Sequence, residues 1–549
     1  MNELNLKQSW IALAILFVAF AMHIGRFVND FYVPESDFFD FRDKAITLRQ
    51  GEWPEDFKRP PLYSASIAAI SAVIPGPQRE LVAAEFIGVV AVLTGFFLFF
   101  AISRNLFSYG ALLLTWFWAF HPSTVRMAVK PKSEMLVTVL ILLAFYLFLK
   151  EKRWAYTVGF LASMVRYEGA LIIAAIGVAD FLTRPHKLRT FFLSLLAVAG
   201  ILIWTFLPTG GTEGGSYFSY FDNYEPNFAF LKTFWSSFLG FLPADLFKLW
   251  VVLGVVLMTL GVLYLFSLHL RAAFGLMTFF VGFLLMHIVW PMPNFDYQVV
   301  IAWCAILMIA AGAVLLWRIV TQKLLNAATV QRFVAHPFVL AIAALVTLFT
   351  VIYLVVRPVP FPQYRVGWAM MMVFLLPVLL GLWLYLKTYW EKPLAPLLFS
   401  VTVFVLCSYF IISRTNAQQY DIRYSKAEFR LVGEWFNKNA EPTDKLVVEQ
   451  PVVVGYYTSF ADSSFIRLVD LPRTEPEALH QWLQKQNITY IAWLSANRIF
   501  ETDNAWYEWK MENRGWKNIE FLGDGKSSNG FTLVKELKIG PRWAYIYKI

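Results

Sequence analysis

Two aspartates near the start of the chain, Asp37 and Asp40, are spaced so that they could act together in acid–base chemistry. If Ser36 or Asp37 begins a helix, residues three positions apart share one face, and both carboxylates project from it. A carboxylate held in place can accept the proton of an attacking hydroxyl group. An alternative stays open, because acidic residues also stabilise the first turn of a helix, where Asp is a favoured cap.

Further charged residues stand at the edges of apolar sequence. Glu134 follows Lys130 and Lys132 directly before an apolar segment, and Arg166 and Glu168 interrupt a stretch that is otherwise apolar. Charged groups at a bilayer edge are costly unless they are solvated or paired, so each is a candidate for function. For Glu134, a helix-terminal acid beside snorkelling lysines is an equal alternative. For Arg166 and Glu168 a function is favoured, because a structural turn does not need charges of both signs.

Neither metal, disulfide nor nucleic-acid chemistry is expected. Cys304 and Cys407 lie in apolar segments, so the sequence offers neither a disulfide framework nor a CxxC metal site. His287 also lies in an apolar segment and is interpreted as a helix-packing residue, because it has no acidic or cysteine neighbour in sequence. There is no Gly-rich phosphate loop and no clustered basic run with a nucleic-acid-binding motif. No cofactor is therefore predicted.

The composition indicates a multi-pass membrane protein. Hydrophobic residues make up 58% of the chain and charged residues only 15%, against about 25% in soluble domains. No small-residue cleavage site follows the first apolar run, so it is expected to remain as a span. Thirteen segments could cross a bilayer, several of them shorter than the ~20 residues of a straight span. They are 9–28, 81–103, 108–121, 134–149, 154–165, 167–182, 190–207, 247–268, 272–290, 297–317, 337–356, 366–386 and 394–413.

Loop charge predicts the orientation of these spans. With thirteen spans, four basic connections fall on one side, namely 150–153, 184–189, 318–332 and 387–392. Cytoplasmic loops carry the excess of Lys and Arg, so the N-terminus is expected inside and the C-terminus outside. A transporter or lipid flippase is the alternative, which the lack of an internal repeat disfavours. A non-catalytic scaffold for assembly of an envelope polymer is a third hypothesis.

From about residue 415 the chain reads as a soluble domain. Charged residues become frequent, and the pattern alternates strands with helices, which predicts a small α/β domain. The expected division is a transmembrane domain over 1–414, with 29–80 as a first outer loop carrying interfacial helices, and an extracytoplasmic α/β domain over 415–549. The predicted helices are 425–438, 475–486 and 498–514, and the predicted strands are 445–449, 465–469, 488–493, 517–522, 529–535 and 541–548.

Several of these residues together resemble a known family. The stretch Asp37-Phe-Phe-Asp40-Phe-Arg-Asp-Lys-Ala45, continued by Leu48, Gly51 and Lys58-Arg-Pro-Pro-Leu-Tyr63, resembles the first outer loop of GT-C superfamily glycosyltransferases. The similarity is to the protein O-mannosyltransferase and lipid A aminoarabinose transferase branch. Lys132-Ser-Glu134 resembles the acidic residue that opens the fourth span, and Arg166-Tyr-Glu-Gly169 resembles the turn between the fifth and sixth. The motifs cover residues 1–180 in order, and the likeness beyond them is architectural.

The resemblance implies the GT-C fold and an inverting glycosyltransferase of the prokaryotic inner membrane. Such an enzyme moves a single sugar from a polyprenyl-phosphate donor to a glycan, lipid or protein acceptor on the outer face. It implies Asp37 as the catalytic base or as the residue that orients the acceptor, with Asp40 and Glu134 as supporting acids. The implied substrate contacts are Lys58, Arg59, Tyr63, Lys130, Lys132, Arg166 and Glu168.

Two departures from the family pattern stand out. Glu35 and Ser36 precede Asp37, where relatives have Ser or Glu after the aspartate, so Glu35 is an alternative base. Ala45 and Gly51 favour the register on Asp37. Near the tenth span, relatives often carry Arg-Tyr, whereas this chain has Asp296 followed by tyrosine.

Overall fold

Apolar helices dominate the described chain before residue 320. The computed structural model describes residues 3–28, 33–34, 36–54, 59–107, 110–185, 187, 191–195, 198, 229–239, 247–289, 295–319, 411, 424–495, 515–540 and 542–549. The helices in this part are α1 Glu3–Gly25, α2 Ser36–Arg49, α3 Leu62–Ser71, α4 Arg79–Leu106, α5 Ala111–Phe120, α6 Pro122–Ala128, α7 Glu134–Leu149, α8 Trp154–Val165, α9 Ala170–Thr183, α10 Ala229–Phe238, α11 Phe247–Leu268, α12 Leu270–Val289 and α13 Gln298–Ile319.

Four of the described helices, α4, α11, α12 and α13, are long and apolar enough to cross a membrane. They coincide with predicted segments, and the chain is an integral membrane protein. α8 has the bounds predicted for the fifth segment. The predicted segments 337–356 and 366–386, with most of 190–207 and 394–413, lie outside the described residues, so the count of thirteen spans stays a prediction.

The predicted segment 108–121 holds only a short helix. α5 ends at Phe120, and α6 begins at Pro122, the first helical position at which proline is tolerated. The His121 side chain caps α6 by accepting a hydrogen bond from the Ser123 backbone N–H at 3.2 Å. Ten residues of α-helix extend only about 15 Å, roughly half the hydrocarbon core. This segment therefore does not form a straight span.

The start of α7 is where the candidate site is built. α7 packs against α4, α8 and α13. Since α7 and α8 are neighbours joined by the short connection 150–153, the first residue of α7, Glu134, faces the residue after α8, Arg166. A 3₁₀ turn, Phe295–Tyr297, leads directly into α13. Three chain segments far apart in sequence thus meet at the beginning of α7.

A five-stranded sheet forms much of the described C-terminal region. Its order is β2-β1-β3-β5-β4, with β1 parallel to β2 and β3, and with β5 antiparallel to β3 and β4. Apolar side chains such as Val447, Ile491 and Tyr547 join one buried core. The strands are β1 Leu446–Val448, β2 Phe465–Arg467, β3 Tyr490–Leu494, β4 Thr532–Ile539 and β5 Arg542–Lys548, and the helices are α14 Ala427–Asn439, α15 Pro451–Gly455 and α16 Pro476–Lys485.

One predicted strand, 517–522, was wrong. Trp516–Leu522 is a 3₁₀ helix that begins after Gly515, whose φ is 75°. Its buried residues Trp516, Ile519 and Leu522 are each 0% exposed. They are three apart, which is the repeat of the 3₁₀ turns that meet at a kink at Ile519 and not the alternation of a strand. The predicted helix 498–514 lies outside the described residues.

The chain divides into two compact units. The membrane unit comprises residues 1–28 and 44–418, and the C-terminal unit comprises residues 29–43 and 419–549. α2 contributes to both, because the division falls between Asp43 and Lys44. Within the C-terminal unit, the Phe39 ring packs edge-on against Tyr456 with 5.5 Å between centroids. The Arg42 guanidinium lies 5.4 Å from the centroid of the same tyrosine ring.

Candidate functional site

Arg166 is the centre of an ion-pair cluster in the membrane unit. Its guanidinium lies 3.2 Å from a Glu134 carboxylate oxygen and 2.7 Å from one of Glu168. It also donates to the Ser133 hydroxyl at 3.2 Å, and it lies 4.9 Å from the centroid of the Tyr297 ring. The side chains of Arg166, Glu134 and Glu168 are 14%, 4% and 15% exposed. Water therefore screens these charges little.

The burial of this cluster affects the pKa of Arg166 and leaves one Glu134 oxygen without a hydrogen-bond partner among the described residues. Burial alone lowers the pKa of Arg166, but the charges of Glu168 and Glu134 outweigh it and raise that pKa well above its ordinary value. Glu134 Oε2 is buried and has no hydrogen-bond partner among the described residues. A buried acceptor left unpaired costs about 1–3 kcal/mol. This oxygen therefore keeps an unused capacity to accept a hydrogen bond.

A second cluster surrounds Asp296, and in it cations outnumber carboxylates, whereas in the first cluster two carboxylates surround one cation. The Lys132 ammonium lies 2.5 Å from Asp296 Oδ2, and the Lys130 ammonium lies 3.4 Å from Oδ1. The Arg126 guanidinium is 3.8 Å from Oδ1 and is 40% exposed, whereas the two lysines and the aspartate are 4–5% exposed. Three cations thus converge on one carboxylate. Charges this deeply buried persist only when they are paired.

Aromatic side chains line the side of the site formed by α10 and α12. The His287 ring stacks on Phe230 and Phe283, with 4.5 and 4.2 Å between centroids, and lies 4.9 Å from the ring of Tyr297. Its Nδ1 donates to the Phe283 carbonyl at 3.0 Å. His287 also interacts electrostatically with the Glu168 carboxylate. Among the described residues, no group of three His, Cys, Asp or Glu side chains could hold a metal ion.

Two more titratable residues of the membrane unit, Tyr63 and Glu85, lie within electrostatic range of these charges. Tyr63 on α3 is completely buried and interacts electrostatically with Glu134, Lys132 and Glu85. Glu85 lies in α4 and is not among the site residues that the sequence predicts. The signal that could have found it is a carboxylate within an apolar span, which is a candidate for function by default.

The structure brings most of the predicted site residues together in the membrane unit. The contacts described above involve Glu134, Lys130, Lys132, Arg166 and Glu168. Tyr63 interacts electrostatically with Glu134 and Lys132. Arg59 is half-buried in the segment before α3, and Lys58 lies outside the described residues. Asp37 and Asp40 belong to the C-terminal unit, on the first turns of α2 as predicted, and both are half-buried.

The turn that carries Arg166 and Glu168 depends on Gly169. Arg166 is extended, with φ −153° and ψ 143°, and a 3₁₀ turn from Tyr167 to Gly169 follows it. A Cβ atom on Gly169 would lie 2.3 Å from the backbone carbonyl carbon of Ala162 in α8. No side chain fits there, so glycine allows the turn to lie directly against α8. This explains the glycine in the Arg166–Gly169 motif.

We expect Gly169→Ala to move this turn and to lower both stability and activity. Overpacking against backbone costs about 1–3 kcal/mol, and a shift of ~1 Å in positioning residues can reduce turnover by ~10²-fold. The melting temperature and the turnover of the purified protein measure the two effects. Gly282→Ala on α12 is the control, since its Cβ would lie 3.4 Å from the Leu171 side chain, an ordinary contact. Equal behaviour of the two variants would contradict this role for Gly169.

Comparison with known proteins identifies the fold. No protein-family model and no curated protein sequence matches the chain. Among solved structures, ArnT from Cupriavidus metallidurans bound to undecaprenyl phosphate matches with a TM-score of 0.50 and 12% identity, over 99% of this chain and 98% of ArnT. The Archaeoglobus fulgidus oligosaccharyltransferase matches with a TM-score of 0.46 and 10% identity, over 89% and 70%. The chain therefore has the GT-C fold, as the sequence resemblance predicted.

Proposed function

We propose that the protein is an inverting glycosyltransferase that moves one sugar from a polyprenyl phosphate to an acceptor. The observation that carries the proposal is the buried set of cations at the start of α7, Lys130, Lys132 and Arg166. It occurs in a chain with the fold of ArnT, whose structure was determined with undecaprenyl phosphate bound. Buried cations near the bilayer are suited to the phosphate of a lipid whose hydrocarbon tail stays in the membrane.

The cations serve the leaving group. In the proposed reaction the bond between the anomeric carbon and the phosphate oxygen breaks, and the phosphate leaves with the electron pair. Its charge changes from that of a diester to that of a monoester, so positive groups that meet this developing charge favour the transition state. Lys130 and Lys132 supply compact charges. Arg166 adds a third positive charge, held in place because its Nε and Nη2 both donate to Glu168.

A carboxylate serves the nucleophile. An acceptor hydroxyl attacks the anomeric carbon from the opposite side and loses its proton, and a positioned base makes this step ~10²–10⁴-fold faster. Asp37 is proposed as that base, or as the group that orients an acceptor already ionised, with Asp40 in support. Glu134, through its buried Oε2, is proposed to accept a hydrogen bond from a sugar or acceptor hydroxyl.

The reaction is proposed to occur on the outer face of a prokaryotic inner membrane, with thirteen spans and the C-terminal unit outside. The basic connection 150–153 supports a cytoplasmic position for that side of the chain. Lys526→Cys tests this orientation, because Lys526 is exposed in the C-terminal unit and the native Cys304 is fully buried. In intact cells a membrane-impermeant maleimide is expected to label the variant above the background of the unsubstituted chain. Labelling that requires breaching the membrane would contradict the orientation.

The test of the activity is a donor panel. Purified protein is incubated with polyprenyl phosphates that carry different single sugars, together with a cell-envelope extract as acceptor. We expect one donor to release free polyprenyl monophosphate, which mass spectrometry detects. Lys132→Met should reduce that release, since it removes one of the cations proposed to hold the phosphate. If the whole panel stays intact with an extract that contains the natural acceptors, the proposal is wrong.

A further inference from the structure

The second cluster of the site contains an aspartate where a phosphate would be expected to bind. Lys130 and Lys132 both contact Asp296, at 3.4 and 2.5 Å, and Arg126 approaches it to 3.8 Å. The carboxylate and both lysines are almost completely buried. Asp296 therefore occupies the position on these cations that an anionic ligand would take. The four side chains together carry a net charge of two positive.

A net charge of two positive matches the monophosphate product of the proposed reaction better than it matches the donor. The donor is a phosphodiester with a single negative charge, whereas the released polyprenyl monophosphate carries about −1.5 to −2 near neutral pH. Without Asp296 the same site would carry three positive charges and would hold the monoester more tightly still. A product held too tightly limits turnover, because release is often the slow step of an enzyme.

We propose that Asp296 lowers the affinity of the phosphate site for the polyprenyl monophosphate product and so permits its release. The inference rests on the proposed function, since it concerns the same phosphate site. Asp296 acts through Lys130 and Lys132, as a positioning residue, and it keeps these buried cations paired while no phosphate is bound. When the donor arrives, its phosphate competes with the Asp296 carboxylate for the two ammonium groups. When the product leaves, the Asp296 carboxylate pairs again with the ammonium groups of Lys130 and Lys132.

The test measures binding of undecaprenyl monophosphate, in detergent, to purified full-length variants. Asp296→Asn keeps the shape and removes one negative charge, so we expect it to bind the monophosphate about tenfold more tightly than wild type. A methyl diester of the same lipid should gain less affinity, because it carries one charge. A merely structural role for Asp296 predicts weaker binding of both ligands. Turnover should fall while inhibition by added monophosphate becomes stronger.

A second variant tests whether monophosphate affinity follows the net charge of the cluster, without disturbing a buried carboxylate. Arg126→Gln lowers the net charge by one at a half-exposed side chain, so it should weaken monophosphate binding by a similar factor. The double variant Asp296→Asn with Arg126→Gln restores the net charge, and its affinity should return close to wild type. Affinities that do not follow the net charge in these three variants would overturn the proposal.

A matched control separates the effect from a general loss of buried ion pairs. Asp180 is 6% exposed and is paired with Arg271 at 2.7 Å and with Arg184 at 3.1 Å. It lies near the far end of α9, about 15 Å along the helix from Ala170. Asp180→Asn should leave monophosphate binding unchanged, and a tenfold gain there would refute the specific role of Asp296. Failure of the proposed function gives a different result, namely wild-type binding that Lys132→Met does not weaken.

Discussion

Asp37→Asn is expected to reduce turnover by at least ~10²-fold while the melting temperature stays within experimental error of wild type. Asn keeps the size of Asp, and Asp37 is the second residue of α2, where loss of its charge costs only about 0.3–1 kcal/mol of interaction with the helix dipole, so the first turn should remain intact. Asn cannot accept a proton, so the loss falls on the chemical step. Release of polyprenyl monophosphate at saturating donor measures turnover, and thermal unfolding measures stability.

Two neighbours on the same helix are the controls. Asp43→Asn removes the same charge from an aspartate that is 63% exposed and pairs with Arg42 at 3.0 Å, and it should be nearly silent. Asp40→Asn should have an intermediate effect, since Asp40 is proposed to support Asp37. Full activity of a well-folded Asp37→Asn protein would leave this residue only the role of a helix cap. Loss of activity in all three variants would point to general damage to α2.

Arg166→Ala is expected to reduce both donor binding and stability. It removes a cation that faces the buried carboxylates of Glu134 and Glu168. Breaking a buried ion pair from one side costs about 3–5 kcal/mol, because the partner charges are left without compensation. The loss of a charge-assisted contact to the donor phosphate should weaken donor affinity by roughly 30-fold or more. Arg59→Ala, in the half-buried segment before α3, should weaken donor binding with little effect on stability.

A neutral replacement separates the two roles of Arg166. In the triple variant Arg166→Met, Glu134→Gln and Glu168→Gln, no buried charge of this cluster is left unpaired. Replacement of a whole buried ion pair by neutral groups is often harmless to stability, so the melting temperature should recover most of its loss. Donor affinity should not recover, because the cation is still missing. Recovery of both quantities would make Arg166 a structural residue alone.

Local signals in the sequence were strong enough to predict the elements that carry the site. The shared face of Asp37 and Asp40 was conditional on a helix that begins at Ser36 or Asp37, and α2 begins at Ser36. The charge pair Arg166 and Glu168 predicted a break between two apolar helices, and the 3₁₀ turn lies there. Most of the strands in the C-terminal unit were predicted from their alternation and β-branched residues, within a few residues at each end.

The pairing of charges across the fold could not be predicted, because it depends on contacts between segments distant in sequence. In the sequence, Asp296 stands out only as a departure from the family pattern. Its direct contact with Lys132 could not be predicted, because the two residues are 164 positions apart. For the same reason the sequence did not predict that Tyr63 and Glu85 interact electrostatically. The prediction of a strand at 517–522 failed for a local reason, since the buried residues Trp516, Ile519 and Leu522 recur at every third position, which fits 3₁₀ turns and not the alternation of a strand.

The measurement that tests the central claim most directly is the fate of the donor phosphorus. A ³¹P NMR spectrum follows purified wild-type protein with the reactive donor and its acceptor extract, beside a parallel sample of Asp37→Asn. The proposed function predicts that the phosphodiester signal of the donor decays in the wild-type sample. A phosphomonoester signal should rise in equal amount, with one sugar found on the acceptor for each monoester. A donor signal that stays unchanged in both samples, or a monoester that forms at the same rate in both, would contradict it.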